Sequence, residues 1–204
     1  MSRIVKNPDE RRQEILAAAR ELFSTKSYAK TTMRDVMEKL GIAKGTIYHY
    51  FKSKEDLLEA VVENIVEEEI ARQEILLEDV SGNGLDKLRI LITSSNLEDQ
   101  HEDILESLHQ PGNMGMHTRQ LAVMILKLSP LYGRLIQQGC EEGIFQTDHP
   151  LEAAEFILSG VQFLTDMGIY PWTQEDLIRR AVALPALVEA QLKAPSGSFN
   201  FLIE

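Results

Sequence analysis

Lys44, Thr46, Tyr48, His49 and Tyr50 fall within one short stretch, and each side chain can donate or accept a hydrogen bond. Ile47 and Phe51 lie among them, apolar and one helical turn apart. A helix of this composition buries Ile47 and Phe51 and turns the polar groups outward, led by the Lys44 ammonium. Amines, hydroxyls and imidazoles on such a face suit hydrogen bonding to base edges and phosphates. Ala43 and Gly45 are small and permit close approach to a duplex.

The residues before this stretch have to position it. Thr31 or Thr32 can cap a preceding helix by satisfying an orphan backbone N–H. Val36, Met37 and Leu40 give that helix an apolar stripe. Gly41 follows it, where a helix end favours the left-handed backbone, and Ile42 returns to the core. Two short helices with a tight corner, over residues 31–51, have the layout of a helix-turn-helix. In that motif the second helix enters the major groove N-terminus first. An αα-hairpin that only packs has the same outline.

Thr32, Gly41-Ile42, the run Gly45-Thr46-Ile47-Tyr48-His49-Tyr50-Phe51 and the pair Lys54-Glu55 resemble the DNA-binding domain of TetR-type (TetR/AcrR) transcriptional regulators. The likeness is dense there and only architectural over the rest of the chain. It implies a three-helix DNA-binding domain over residues 1–55, with a recognition helix near 43–50, and a helical regulatory and dimerisation domain over 56–204. It also implies base contacts from Arg34 on the second helix and from Lys44, Thr46, Tyr48 and His49 on the third. Phosphate contacts carry over to Thr32, Tyr50 and Lys54, with Lys52 beside them. Two roles stay open for Tyr48: reading DNA or packing in the small core. The family admits many residue types at His49, so its target base does not follow.

The net charge of −11 argues at first against nucleic acid, but its distribution does not. Residues 1–55 carry 12 Lys and Arg against 7 Asp and Glu, and the rest carries 9 against 25. A basic head on an acidic body puts the attractive field at one end. The single cysteine, Cys140, excludes an internal disulfide and fits a reducing cytoplasm. No signal-like segment opens the chain, and no stretch approaches about 18 uncharged apolar residues, so no membrane span is expected.

Apolar periodicity continues beyond the head. Residues 1–7 form a basic arm, and Pro8 opens a first helix with Ile15, Leu16, Ala19, Leu22 and Phe23 inward. Ser53 caps a fourth helix running to about residue 71. Helices follow near residues 85–97, 102–109 and 117–142, the last with a kink or short break expected at Ser129-Pro130. Two more lie near 150–168 and 173–193, the second with a kink expected at Pro185, before a tail that is as readily disordered as docked. The class is all-α with about nine helices. Similarity to the family implies a homodimer through the helices near 150–168 and 173–193, matching a near-palindromic double-stranded operator.

The likeness further implies a small-molecule inducer in the body. Candidate lining residues are Leu105, Leu108, His109, Met116, Gln120, Leu121, Met124, Phe163 and Asp166. No cofactor is expected. His101, His109, His117 and His149 lack the spacing of a metal motif. His109 and His117, eight apart across a Pro-Gly loop, could converge with Asp166, but solvated or core histidines are the reading taken, and no metal site is expected. There is no phosphate loop or nucleophile elbow, and Cys140 beside Glu141-Glu142 is poorly placed for an activated thiolate. The chain is therefore read as a regulator and not an enzyme, the alternative being an architectural or partner-recruiting DNA-binding module without an inducer.

Overall fold

A computed structural model describes residues 7–94, 104, 107–109 and 114–203. Among them are eight α-helices and no strand: α1 (Pro8–Lys26), α2 (Met33–Leu40), α3 (Lys44–Tyr50), α4 (Lys54–Glu78), α5 (Gly84–Thr93), α6 (Met114–Glu141), α7 (Pro150–Thr165) and α8 (Gln174–Leu192). Short 3-10 turns lie at Ser107–His109 and Asn200–Leu202. The basic arm up to residue 6 and most of the helix expected near 102–109, Leu105 included, lie outside the described residues.

Contacts divide the chain into two compact units. The first comprises Met1–Ile65 and Leu97–Gln120, the second Val66–Asn96 and Leu121–Glu204. Both α4 and α6 contribute to each.

In the first unit, Ile15, Leu16, Ala19 and Phe23 of α1, Val36 of α2, Ile47 and Phe51 around α3, and Leu57, Leu58, Val61 and Val62 of α4 share one core. Asn7 caps α1 by accepting from Asp9 N at 3.2 Å, a role not foreseen for it. That helix ends at Ser27, whose φ of 68° lies in the left-handed region. The conformation costs a serine on the order of 1 kcal/mol. It is held because the Ser27 carbonyl accepts both the amide and the hydroxyl of Thr31, at 3.2 and 2.8 Å. Thr31 is thus buried at the corner, and Thr32 is the cap. The Thr32 hydroxyl accepts from Asp35 N at 3.2 Å while the Asp35 carboxylate accepts from Thr32 N at 2.7 Å. Gly41 ends α2 with φ 62°, donating back into its last turn.

In the second unit, Leu88 and Leu91 of α5, Leu131, Leu135 and Ile136 of α6, Ala153 and Ala154 of α7, and Val188 and Leu192 of α8 form the core with Phe145. α5 meets α6 backbone to backbone: a Cβ on Gly84 would stand 2.5 Å from the Leu135 carbonyl oxygen. The Gly84 amide donates to Glu142 at 2.7 Å, and this bond holds the Glu142 carboxyl below its ordinary range. Of the kink or short break expected at Ser129-Pro130, the break does not occur: α6 is one helical span through Pro130, with the Ser129 hydroxyl donating to the Ile125 carbonyl at 2.7 Å. α8 likewise continues through a buried Pro185. Among the described residues the tail docks, with Phe199 and Phe201 buried and the Phe199 ring stacked on Phe145 at 6.0 Å.

Candidate nucleic-acid interface

The candidate reading face is built on α2 and α3. Ile47 and Phe51 are fully buried, which fixes the roll of α3 and sends its other side outward. Lys44, Tyr48 and His49 are exposed and Thr46 is partly so. Tyr48 keeps 41 % of its surface open, so it is not a core residue. The Lys44 ammonium lies 5.6 Å from the centroid of the Tyr48 ring, placing the charge and the phenol together at the leading part of α3. Nothing lies within 4 Å of where a Gly45 side chain would begin, so that edge is open. His49 stands edge-on to Tyr50 at 5.1 Å, and Tyr50 itself packs partly against the core.

Arg34 is highly exposed on α2, and its Nε donates to Glu38 at 2.6 Å, a bond that raises the guanidinium's proton affinity further. That exposed pair contributes little stability, so the fork can exchange its carboxylate for a base edge at small cost.

The expected phosphate residues differ in how occupied they are. Thr32 is engaged in its cap, and its hydroxyl also donates to Asp35 Oδ2 at 2.7 Å. Lys26 Nζ donates to the other Asp35 oxygen at 2.7 Å. Lys26 first, and Thr32 after it, hold the Asp35 carboxyl well below its usual range. Lys52 is exposed, its amide donating to Asp56 at 2.7 Å. Lys54 is different: its ammonium donates to the Tyr28 carbonyl at 3.0 Å and lies 4.1 Å from the Tyr28 ring centroid. Burial, with the neighbouring Glu55 charge, pushes the Tyr28 phenol up to about 12. Neither the Lys26–Asp35 pair nor the Lys54–Tyr28 contact is signalled by local sequence spacing.

The proposed effector residues fall in both units. In the first, Leu108, Met116 and Gln120 are buried and His109 is exposed. In the second, Leu121, Met124 and Asp166 are partly buried and Phe163 is exposed. A polar cluster that periodicity could not reveal lies in the second unit. Arg72 binds both oxygens of the buried Glu69 at 2.6 and 2.8 Å and reaches the Ser94 carbonyl at 2.6 Å. Gln73 Nε2 donates to Glu69 at 2.8 Å, while its Oε1 is buried without a donor.

Two family profiles match this chain. The profile of bacterial regulatory proteins of the tetR family covers residues 15–61, and that of the tetracyclin repressor-like C-terminal domain covers residues 91–187. The chain belongs to the TetR family. As a TetR-family protein it is a DNA-binding regulator of transcription. It is similar to the HTH-type transcriptional repressor KstR2 of Mycobacterium tuberculosis, with 26% identity over 152 residues, 72% of this chain and 76% of that protein. It is also similar to the HTH-type transcriptional regulator YfiR of Bacillus subtilis, 28% identical over 165 residues, 74% of this chain and 76% of that one. A TetR-family regulator from Pectobacterium atrosepticum shares the fold, with a TM-score of 0.62 at 22% identity over 93% of this chain and 100% of that one. No helix among the described residues is long and apolar enough to cross a membrane.

Proposed function

We propose that this TetR-family chain is a homodimeric repressor that reads a near-palindromic operator with α3 and is released by a small molecule bound in its helical body. The observation that carries the DNA reading is the exposure of Lys44, Tyr48 and His49 on one face of α3, with Arg34 exposed on α2. Arg34, Lys44, Thr46, Tyr48 and His49 supply base contacts in this reading; Thr32, Tyr50, Lys52 and Lys54 border the phosphates. Two recognition helices about 34–36 Å apart suit successive major grooves.

Dimerisation is supported by apolar side chains left in the open on the last two helices. Phe156 and Phe163 on α7, and Ile178, Val182 and Leu187 on α8, are all exposed, Phe156 by 70 %. A second copy burying these faces removes that surface from water. The buried, unpartnered Gln73 Oε1 supports a ligand in the body, because such an acceptor costs free energy until a donor reaches it. A ligand that binds the non-operator state more tightly shifts the dimer toward it.

Selection of duplexes by the untagged protein from a randomised DNA library tests the reading. Enrichment of paired half-sites related by a two-fold axis is expected. Recovery of unrelated sequences at input frequency contradicts it.

A further inference from the structure

The turn Ser107–His109 and the first turns of α6 bring two imidazoles together in the first unit. The ring centroids of His109 and His117 are 4.8 Å apart, and their ligating nitrogens come within 4.8 Å of each other. The eight-residue spacing across a Pro-Gly loop leaves their convergence open, but no metal site is expected from it. His117 is 2 % exposed. One turn further along α6, Gln120 is 1 % exposed. Its Nε2 donates to the Glu59 carbonyl at 3.3 Å, and its Oε1 is buried without a donor.

We infer that His109 and His117 form a binding site for a divalent transition-metal ion. Nitrogens bonded to one tetrahedral ion at about 2.0–2.1 Å stand roughly 3.4 Å apart. A modest rotation of the exposed His109 closes the present separation. The ion retains water at its remaining positions, and metal-bound water is a strong donor. Gln120 follows His117 by three residues, on the same side of α6, and a metal-bound water reaching that side would satisfy its carboxamide oxygen. The orphaned acceptor is thus independent support for an occupant that brings positive charge or donors. Imidazole ligands select zinc, copper, nickel or cobalt over magnesium and calcium, which prefer all-oxygen sites. The site stands apart from the DNA-binding reading, because its ligands are off the α2–α3 face.

Titration calorimetry of the untagged, chelator-stripped full chain with zinc chloride, with cobalt absorbance as a second readout, tests the site. One zinc per protomer is expected, with no heat from magnesium. His109→Ala weakens zinc binding by about tenfold or more, and His117→Gln does the same. Circular dichroism checks that both variants fold; if the buried His117→Gln variant does not, the exposed His109→Ala variant decides. His149→Gln leaves binding unchanged. Absence of zinc binding by the wild type, undiminished binding by folded His109→Ala, or loss in His149→Gln would each overturn the site.

Discussion

The Lys54 ammonium lies over the Tyr28 ring, 4.1 Å from its centroid, and donates to the Tyr28 carbonyl at 3.0 Å. The first residue of α4 is thereby fastened to the segment that follows α1. A cation over an aromatic face with a charge-assisted hydrogen bond contributes on the order of 1 kcal/mol. Lys54→Met is therefore expected to lower the stability of the protein by about 1 kcal/mol in thermal denaturation. Lys52→Met, which breaks no such contact, leaves the melting temperature unchanged and instead reduces the salt dependence of DNA binding by about one unit of slope per protomer. Equal melting temperatures for the two variants would contradict this division of labour.

Base reading is assigned to exposed side chains, so it separates from folding. Arg34→Ala and His49→Ala are expected to weaken operator binding by about 1–3 kcal/mol each and to relax selectivity at particular base pairs. Their melting temperatures stay at the wild-type value, since both side chains are exposed. Binding to many single-base operator variants, measured by fluorescence anisotropy, separates a lost base contact from a uniform loss of affinity.

Asp35 makes the head sensitive to acid. Lys26 and then Thr32 hold its carboxyl below the ordinary value in the folded chain. A depressed folded value means the contribution is complete above the unfolded carboxylate range, near pH 4, and is lost as pH falls through the folded value. Asp35→Asn is expected to be less stable than wild type at neutral pH, and the gap closes in strong acid. A gap that widened on acidification would contradict the sign.

Much of this head could be read from sequence because its signals are local. Thr32, Gly41, Ile47 and Phe51 each act within a few residues of themselves, and all four take the expected places. Lys54 could not be read, because its partner is 26 residues away. The sequence leaves a kink and a break both open at Pro130; the helix continues there, and the Ser129 hydroxyl bonds the Ile125 carbonyl. The tail was open in sequence; only the fold places Phe145 against Phe199 and the Arg89 guanidinium over the Phe201 ring at 5.0 Å. The pairing of His109 with His117 depends on a turn whose path periodicity does not encode.

The open apolar faces of α7 and α8 give a direct test of assembly. Phe156→Glu combined with Val182→Glu replaces two exposed side chains, so the protomer fold is expected to survive. Sedimentation equilibrium should then report a monomer, against a wild-type dimer, and affinity for a two-half-site duplex should fall toward that for a single half-site. A variant that stays dimeric would place the interface elsewhere.

The central claim is that the α2–α3 face reads a specific DNA sequence. The most direct measurement is the affinity of the untagged protein for the duplex upstream of its own gene, against a scrambled duplex of equal length, across a series of salt concentrations. The account predicts binding about 1,000-fold or more tighter to the upstream duplex, with log Kd rising steeply and linearly with log salt. A folded protein that binds neither duplex at low salt, or binds both equally, would contradict it.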